Sequence, residues 1–232
     1  MDTYTRRLGG TSVGSAREKC TFGGKKTFGI EAFARGMLDR FLAALALIFF
    51  APAMILVALL ILVMEGRPIF FCHNRIGQGG RRFGCLKFRS MPVDADRRLA
   101  ELLASDPEAR AEWEASQKLE NDPRVTCLGA FLRKSSLDEL PQFWNVLRGD
   151  MALVGPRPIV ESEAHHYGEC FADYLSVKPG ITGHWQVSGR SATTYRERVA
   201  LDMDYIRHRP FRRDIAILLK TVKVVVAGSG AK

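Results

Sequence analysis

The chain has 232 residues, 47% of them hydrophobic, which allows one catalytic domain with appendages and an ample core. Its net charge of +9 favours polyanions, whether nucleic acid, anionic headgroups or phosphorylated substrates, without choosing among them. Five scattered cysteines, Cys20, Cys72, Cys85, Cys127 and Cys170, show no CxxC or Cys/His spacing; this argues against zinc and reads as free thiols in a reducing compartment.

Residues 1–30 are rich in Gly, Ser, Thr and basic side chains with almost no apolar periodicity, and read as a disordered, cytosolic segment. The apolar run that follows starts too late and is too long for a signal peptide. From Phe41 to Met64 there is no charged residue, a length near the roughly 20 residues that a transmembrane helix needs. Two features argue against a simple span. Pro52 sits mid-segment, where it removes a helix hydrogen bond. Both flanks are also basic, with Arg35 and Arg40 before and Arg67, Arg75, Arg81, Arg82, Lys87 and Arg89 after, so the positive-inside rule places both on the cytoplasmic side. Residues 31–66 therefore read as a re-entrant helix broken at Pro52; a simple span and a buried core hairpin are the alternatives. Residues 67–232 read as a cytoplasmic catalytic domain.

Pro68 to Phe88 reads as a β-hairpin turning at Ile76–Gly80, whose glycines lack a strand–GxGxxG–helix context. Pro92 to Leu119 reads as a solvated helix pair broken at Asp106-Pro107, and Leu128 to Lys134 as a short helix. Lys178 to Gly183 is a turn-rich loop leading to HWQVSGR. Thr193 to His208 is helical with Val199, Met203 and Ile206 on one face and Glu197, Asp202 and Asp204 solvated. Phe211 to Ala227 is a basic amphipathic helix, suited to a membrane surface or to the domain core. The fold class is mostly α with a small β-hairpin, a re-entrant membrane helix and interfacial amphipathic helices.

The run RKSSLDELPQFWNVLRGDMALVGPRP, Arg133 to Pro158, carries the chemistry. Ser136-Leu137-Asp138-Glu139 fits a capping box, in which Ser136 caps, Glu139 reaches back and Asp138 complements the dipole. The same geometry supports function. A helix start holds anions and keeps Asp138 ionised and nucleophilic. Adjacent carboxylates beside a phosphate attract Mg²⁺. Arg133 approaches the pair, and Arg157, stiffened by flanking prolines, suits bidentate phosphate contacts.

KFRSM, SLDELPQFWNVLRGDMALVGPRP and KPGITGHWQVSGR, in this order, resemble the bacterial sugar transferase family, the monotopic phosphoglycosyl transferases. The resemblance runs from about Glu31 to the C-terminus. It looks most like the exopolysaccharide-type undecaprenyl-phosphate galactose phosphotransferases, in a short form with no multi-span segment before Phe41. It implies transfer of a hexose-1-phosphate from a UDP-sugar, UDP-galactose above all, to undecaprenyl phosphate with release of UMP. This is the first membrane step of exopolysaccharide synthesis, at the cytoplasmic face of the bacterial inner membrane. It implies Asp138 as the nucleophile of a phosphosugar–aspartyl intermediate and Glu139, with Asp138, as the Mg²⁺ ligand. Lys87, Arg89, Arg133, Arg157, Pro158 and Arg190 follow as substrate-binding residues, and Asp202 as a weaker candidate. The family breaks its membrane helix at a Ser-Pro or similar pair; here the pair is Ala51-Pro52. UDP-glucose or a UDP-N-acetylated sugar is the alternative donor. A non-catalytic membrane scaffold is the alternative class, and a homo-oligomer is compatible with either. No helix-turn-helix, RRM or zinc pattern supports nucleic acid as partner.

Overall fold

A computed structural model describes residues 29–116, 119, 122–188, 194–208 and 210–226. The expected disorder of residues 1–30 therefore lies outside the described residues except at Gly29 and Ile30, where the first helix begins. Helix α1 (Ile30–Met64) is followed by the antiparallel hairpin β1 (Phe70–Ile76) and β2 (Arg82–Phe88). The expected helix pair is α2 (Ala95–Ser105) and α3 (Pro107–Ser116), parted at Asp106, whose carboxylate accepts from the amides of Glu108 and Ala109. Then come α4 (Cys127–Ser135), α5 (Gln142–Arg148), β3 (Ala152–Val154), α6 (Phe171–Leu175), β4 (Gly180–Thr182) and α7 (His184–Ser188). Helices α8 (Tyr195–Arg207) and α9 (Phe211–Val226) close the chain.

Helix α1 continues through Pro52, so the expected helix–break–helix is one uninterrupted helix. Proline leaves one carbonyl unpaired but its fixed φ is helical, and packing on both sides of it holds the element together. Ala43, in the first half, joins the main core with Val146, Met151 and Leu153. Val57 and Ile61, in the second half, join a smaller cluster with Phe88 and Leu132. From Ala43 to Ile61 is about 27 Å of helix at 1.5 Å per residue. Both ends are also fastened. Arg35 pairs with Asp214 of α9 at 2.6 Å, and Glu65, just past the other end, accepts from the Thr126 hydroxyl at 2.5 Å. The opposite face, with Phe41, Leu45, Ile48, Phe49, Ile55 and Leu59, is exposed.

Helix α9 divides in the same way. Ile217 is buried in the core and the Thr221 hydroxyl meets that of Thr182 at 2.7 Å, while Phe211, Ile215, Leu219 and Val222 face outward. The two readings of this helix, core packing and an apolar outer surface, are both present on different faces.

The parallel pair of β3 and β4 was not expected; β4 falls in what reads as a turn-rich loop. Three residues a side are too few to show a two-residue alternation. It depends on close backbone approach at glycine: a Cβ on Gly180 would stand 2.1 Å from the Gly155 nitrogen. Gly155 donates to Thr182 O and Gly180 to Pro156 O, so the GPRP and KPGITG segments form one unit. That unit is tied to the hairpin where Ile76 donates to Ile159 O at 2.9 Å. Among the described cysteines, Cys72, Cys85 and Cys127 are free and Cys170 is disulfide-bonded, which corrects the free-thiol expectation for Cys170.

Candidate active site

Asp138 and Glu139 lie on a bend between α4 and α5. Ser136 ends α4 in the left-handed conformation, φ 58°, and residues Leu137–Glu139 make one 3₁₀ turn before Pro141 starts α5. The capping-box expectation fails: the Ser136 side chain caps nothing, and Glu139 turns to Lys87. Leu137 packs onto the cluster that Val57 and Ile61 of α1 form with Phe88 and Leu132, so the turn carrying the carboxylates shares a small core with the long apolar helix.

Lys87, near the end of β2, donates to Glu139 Oε1 at 2.7 Å, and its Nζ stands 3.8 Å from Asp138 Oδ2. Its position follows from Asn145 of α5, which is fully buried. The Asn145 carbonyl accepts from the Leu86 amide and its NH₂ donates to Gly84 O, at 2.9 and 2.8 Å. The side chain thus completes the hydrogen bonding of the β2 edge and fixes the spacing between hairpin and dyad.

Asp138 is 7% exposed. Burial pushes its carboxyl up to about 6; Glu139 adds to the rise, whereas Lys87 and Arg133 oppose it. The sequence expectation was the reverse, an Asp held ionised by a helix start. The carboxyl instead sits in a short turn, where desolvation outweighs the nearby cations. It is still about nine-tenths ionised at pH 7. The structure thus assembles Asp138, Glu139, Lys87 and Arg133. Arg133 donates Nε–H to Ser90 Oγ at 2.9 Å on the approach to the pair.

The other predicted binders are placed differently. Arg89 is 5% exposed and donates to the carbonyls of Glu65 and Gly66, so it fastens the end of α1 and does not face the dyad. Arg157 lies over the Trp185 ring, 5.7 Å from its centroid, and Pro158 is buried with its carbonyl accepting from Arg75. Arg190 lies outside the described residues. Asp202, expected to be solvated, is 1% exposed, accepts from the Tyr167 hydroxyl at 2.8 Å, and is pushed up to about 6 by burial. Sequence reasoning read Arg75 only as part of a basic flank and gave His73, Trp185 and Arg198 no role. One signal was available: Phe71, His73 and Arg75 alternate along one strand, on the face that Lys87 shares.

No group of three or more His, Cys, Asp or Glu side chains gathers among the described residues. Two adjacent carboxylates suit Mg²⁺ in its common mode, one or two protein carboxylates with the remaining oxygens from water and substrate phosphates. The donor set therefore fits an ion carried in with a diphosphate, and Glu139 and Asp138 are the residues that would hold it.

The model of the family described as "Bacterial sugar transferase" matches residues 30–228. The chain belongs to the bacterial sugar transferase family. Among its relatives, the undecaprenyl-phosphate galactose phosphotransferase of Salmonella typhimurium is 54% identical over 167 residues, 72% of this chain and 35% of that protein. The UDP-galactose-lipid carrier transferase of Erwinia amylovora is 50% identical over 180 residues, 78% of this chain and 38% of that protein. The exopolysaccharide production protein ExoY of Rhizobium meliloti is 44% identical over 202 residues, 87% of this chain and 89% of that protein. The sugar transferase chain thus spans about two fifths of the first two relatives and most of the third.

Proposed function

We propose that this sugar transferase moves a hexose-1-phosphate from a UDP-sugar to undecaprenyl phosphate and releases UMP. The observation that carries the reading is a buried, partly desolvated Asp138 beside Lys87 and Glu139, on a turn packed against an exposed apolar helix. The names of the Salmonella and Erwinia relatives support galactose as the sugar and undecaprenyl phosphate as the acceptor. Family membership and the ExoY relative support a role in exopolysaccharide synthesis.

In the first step a carboxylate oxygen of Asp138 attacks the sugar-bearing phosphorus of the donor. The bond to the bridging oxygen breaks, and its electrons leave with UMP. In the second step an oxygen of the lipid phosphate attacks the same phosphorus and the Asp138 carboxylate departs. Two anions then never meet directly; each meets one carboxylate flanked by Lys87 and Arg133. Bound Mg²⁺ would neutralise charge on the diphosphate and improve the leaving group. Lys87 keeps Asp138 ionised and orients Glu139, and Arg133 receives phosphate oxygens on the open side.

Helix α1 would lie re-entrant in the cytoplasmic leaflet, with its outer face in lipid and both ends on the cytoplasmic domain. The fastening of both ends to one domain supports this topology. The outer stripe of α9 lies in the same interface, with Lys220 and Lys223 near headgroups.

The test is UMP release from a panel of UDP-sugars with Mg²⁺ and undecaprenyl phosphate, with Asp138→Asn alongside. Donor alone should give one UMP per enzyme and a mass increase of one hexose phosphate on the intact protein. UMP release that persists undiminished in Asp138→Asn overturns the assigned nucleophile. No release from any UDP-sugar by folded, membrane-inserted protein moves the reading to a scaffold.

A further inference from the structure

A second cationic centre lies at the far end of the hairpin face that carries Lys87. The register pairs Phe71 with Lys87, His73 with Cys85 and Arg75 with Phe83, and cross-strand partners share a face. Arg75 is therefore four residues from the Lys87 position, about 13 Å of strand. Its side chain turns back toward the dyad: Nη2 meets His73 Nδ1 at 3.2 Å. His73 is exposed, while its cross-strand partner Cys85 is buried, so the way between the two centres runs along the β1 side of that face.

Arg75 does not stand alone there. Its Nη1 donates to Pro158 O at 3.3 Å and reaches Glu163 Oε2 at 3.5 Å, both long contacts. Arg157, one residue from that carbonyl, lies close enough for its charge, after burial, to push the Arg75 guanidinium below its usual range. Arg198 reaches the other oxygen of Glu163 at 3.4 Å, lies 4.9 Å over the Trp185 ring, and is 7% exposed. Its buried Nε and Nη2 have no hydrogen-bond partner. Two guanidiniums thus share the Glu163 carboxylate, with Arg157 beside them over the same Trp185 ring as Arg198, and the nearby Asp202 accepts from Tyr167. Like charges held this close favour an added anion, and guanidinium pairs suit phosphate oxygens.

We propose that Arg75, together with Arg157, forms the subsite for the phosphate of the nucleoside monophosphate half of the donor, with the hairpin face as the track from the dyad. The assignment rests on the transferase reading above. It gives the donor a direction: the sugar-bearing phosphorus at Asp138, and the departing nucleotide along His73 toward Arg75. Arg133 is left on the opposite approach for the acceptor phosphate.

The test is equilibrium binding of UMP and of uridine to the full chain in lipid nanodiscs, for wild type, Arg75→Gln and Arg75→Lys. A lost charged hydrogen bond should weaken UMP binding of Arg75→Gln by roughly tenfold or more. Uridine binding and the KM for undecaprenyl phosphate should be unchanged, and Arg75→Lys should recover part of the UMP affinity. Unfolding temperatures report whether each variant is folded. Equal UMP affinity in wild type and folded Arg75→Gln overturns the subsite, as does a parallel loss of uridine and UMP. If instead the wild type binds no uridine nucleotide, the transferase reading fails first.

Discussion

Asp138 combines two demands that conflict. The proposed mechanism requires it ionised to attack phosphorus, yet it is buried, and burial raises its carboxyl from 3.8 to about 6. A carboxyl whose folded pKa exceeds its unfolded value binds its proton more tightly when folded. Stability therefore falls as pH rises from about 4 to about 6 and is level above that. The ionisation cost is on the order of 3 kcal/mol at neutral pH. Asp138→Asn should accordingly abolish UMP release and yet raise the unfolding temperature by a few degrees at pH 7, a gain that vanishes near pH 4. Lys87 is the first of the cations that oppose the rise. In Lys87→Gln, the acid limb of the residual UMP-release profile should move to higher pH than the wild-type limb near 6; an unmoved limb would assign it to another group. The sequence names Asp138, Glu139, Lys87 and Arg133, but not the burial that raises Asp138. SLDEL reads as a helix start, and only the fold reveals that Ser136 takes positive φ and that β2 covers the pair.

At the scale of elements, the longer helices and the hairpin were legible because their periodicities are long enough to see, whereas the five-residue α6 and α7 were not. The hairpin strands, α8 and α9 fall within a few residues of their expected bounds. The β3–β4 pair and the 3₁₀ run Glu161–Cys170 were not, because neither is stated by alternation or by an apolar stripe. The join between α5 and β2 was equally hidden, since it rests on one polar side chain. Asn145→Ala would leave the Leu86 amide and the Gly84 carbonyl unpaired and buried. It should cost about 2–4 kcal/mol in unfolding experiments and should loosen Lys87 from the dyad, lowering UMP release beyond what the stability loss explains.

For the whole molecule, the arrangement of α1 decides what the membrane sees. A straight span separates its ends by a bilayer, whereas here Arg35 and Glu65 grip the same domain. Single cysteines at Glu31 and Arg67, in an otherwise cysteine-free chain, should both react with an impermeant thiol reagent in inside-out vesicles. Neither should react in right-side-out vesicles. Labelling of one end on each side would make α1 a span. The basic flanks suggest this topology from sequence; the expected break at Pro52 is absent from the structure, and the labelling decides the topology.

Leu137 packs on the cluster that Val57 and Ile61 share with Phe88 and Leu132, and this has a consequence for handling the protein. On the proposed reading, the residue before the nucleophile leans on a core that includes the helix whose other face meets acyl chains. Lipid is then part of the wall behind the reaction centre. A detergent that lets α1 shift would silence the enzyme without unfolding it, so loss of turnover on extraction, with secondary structure intact, would report a displaced nucleophile.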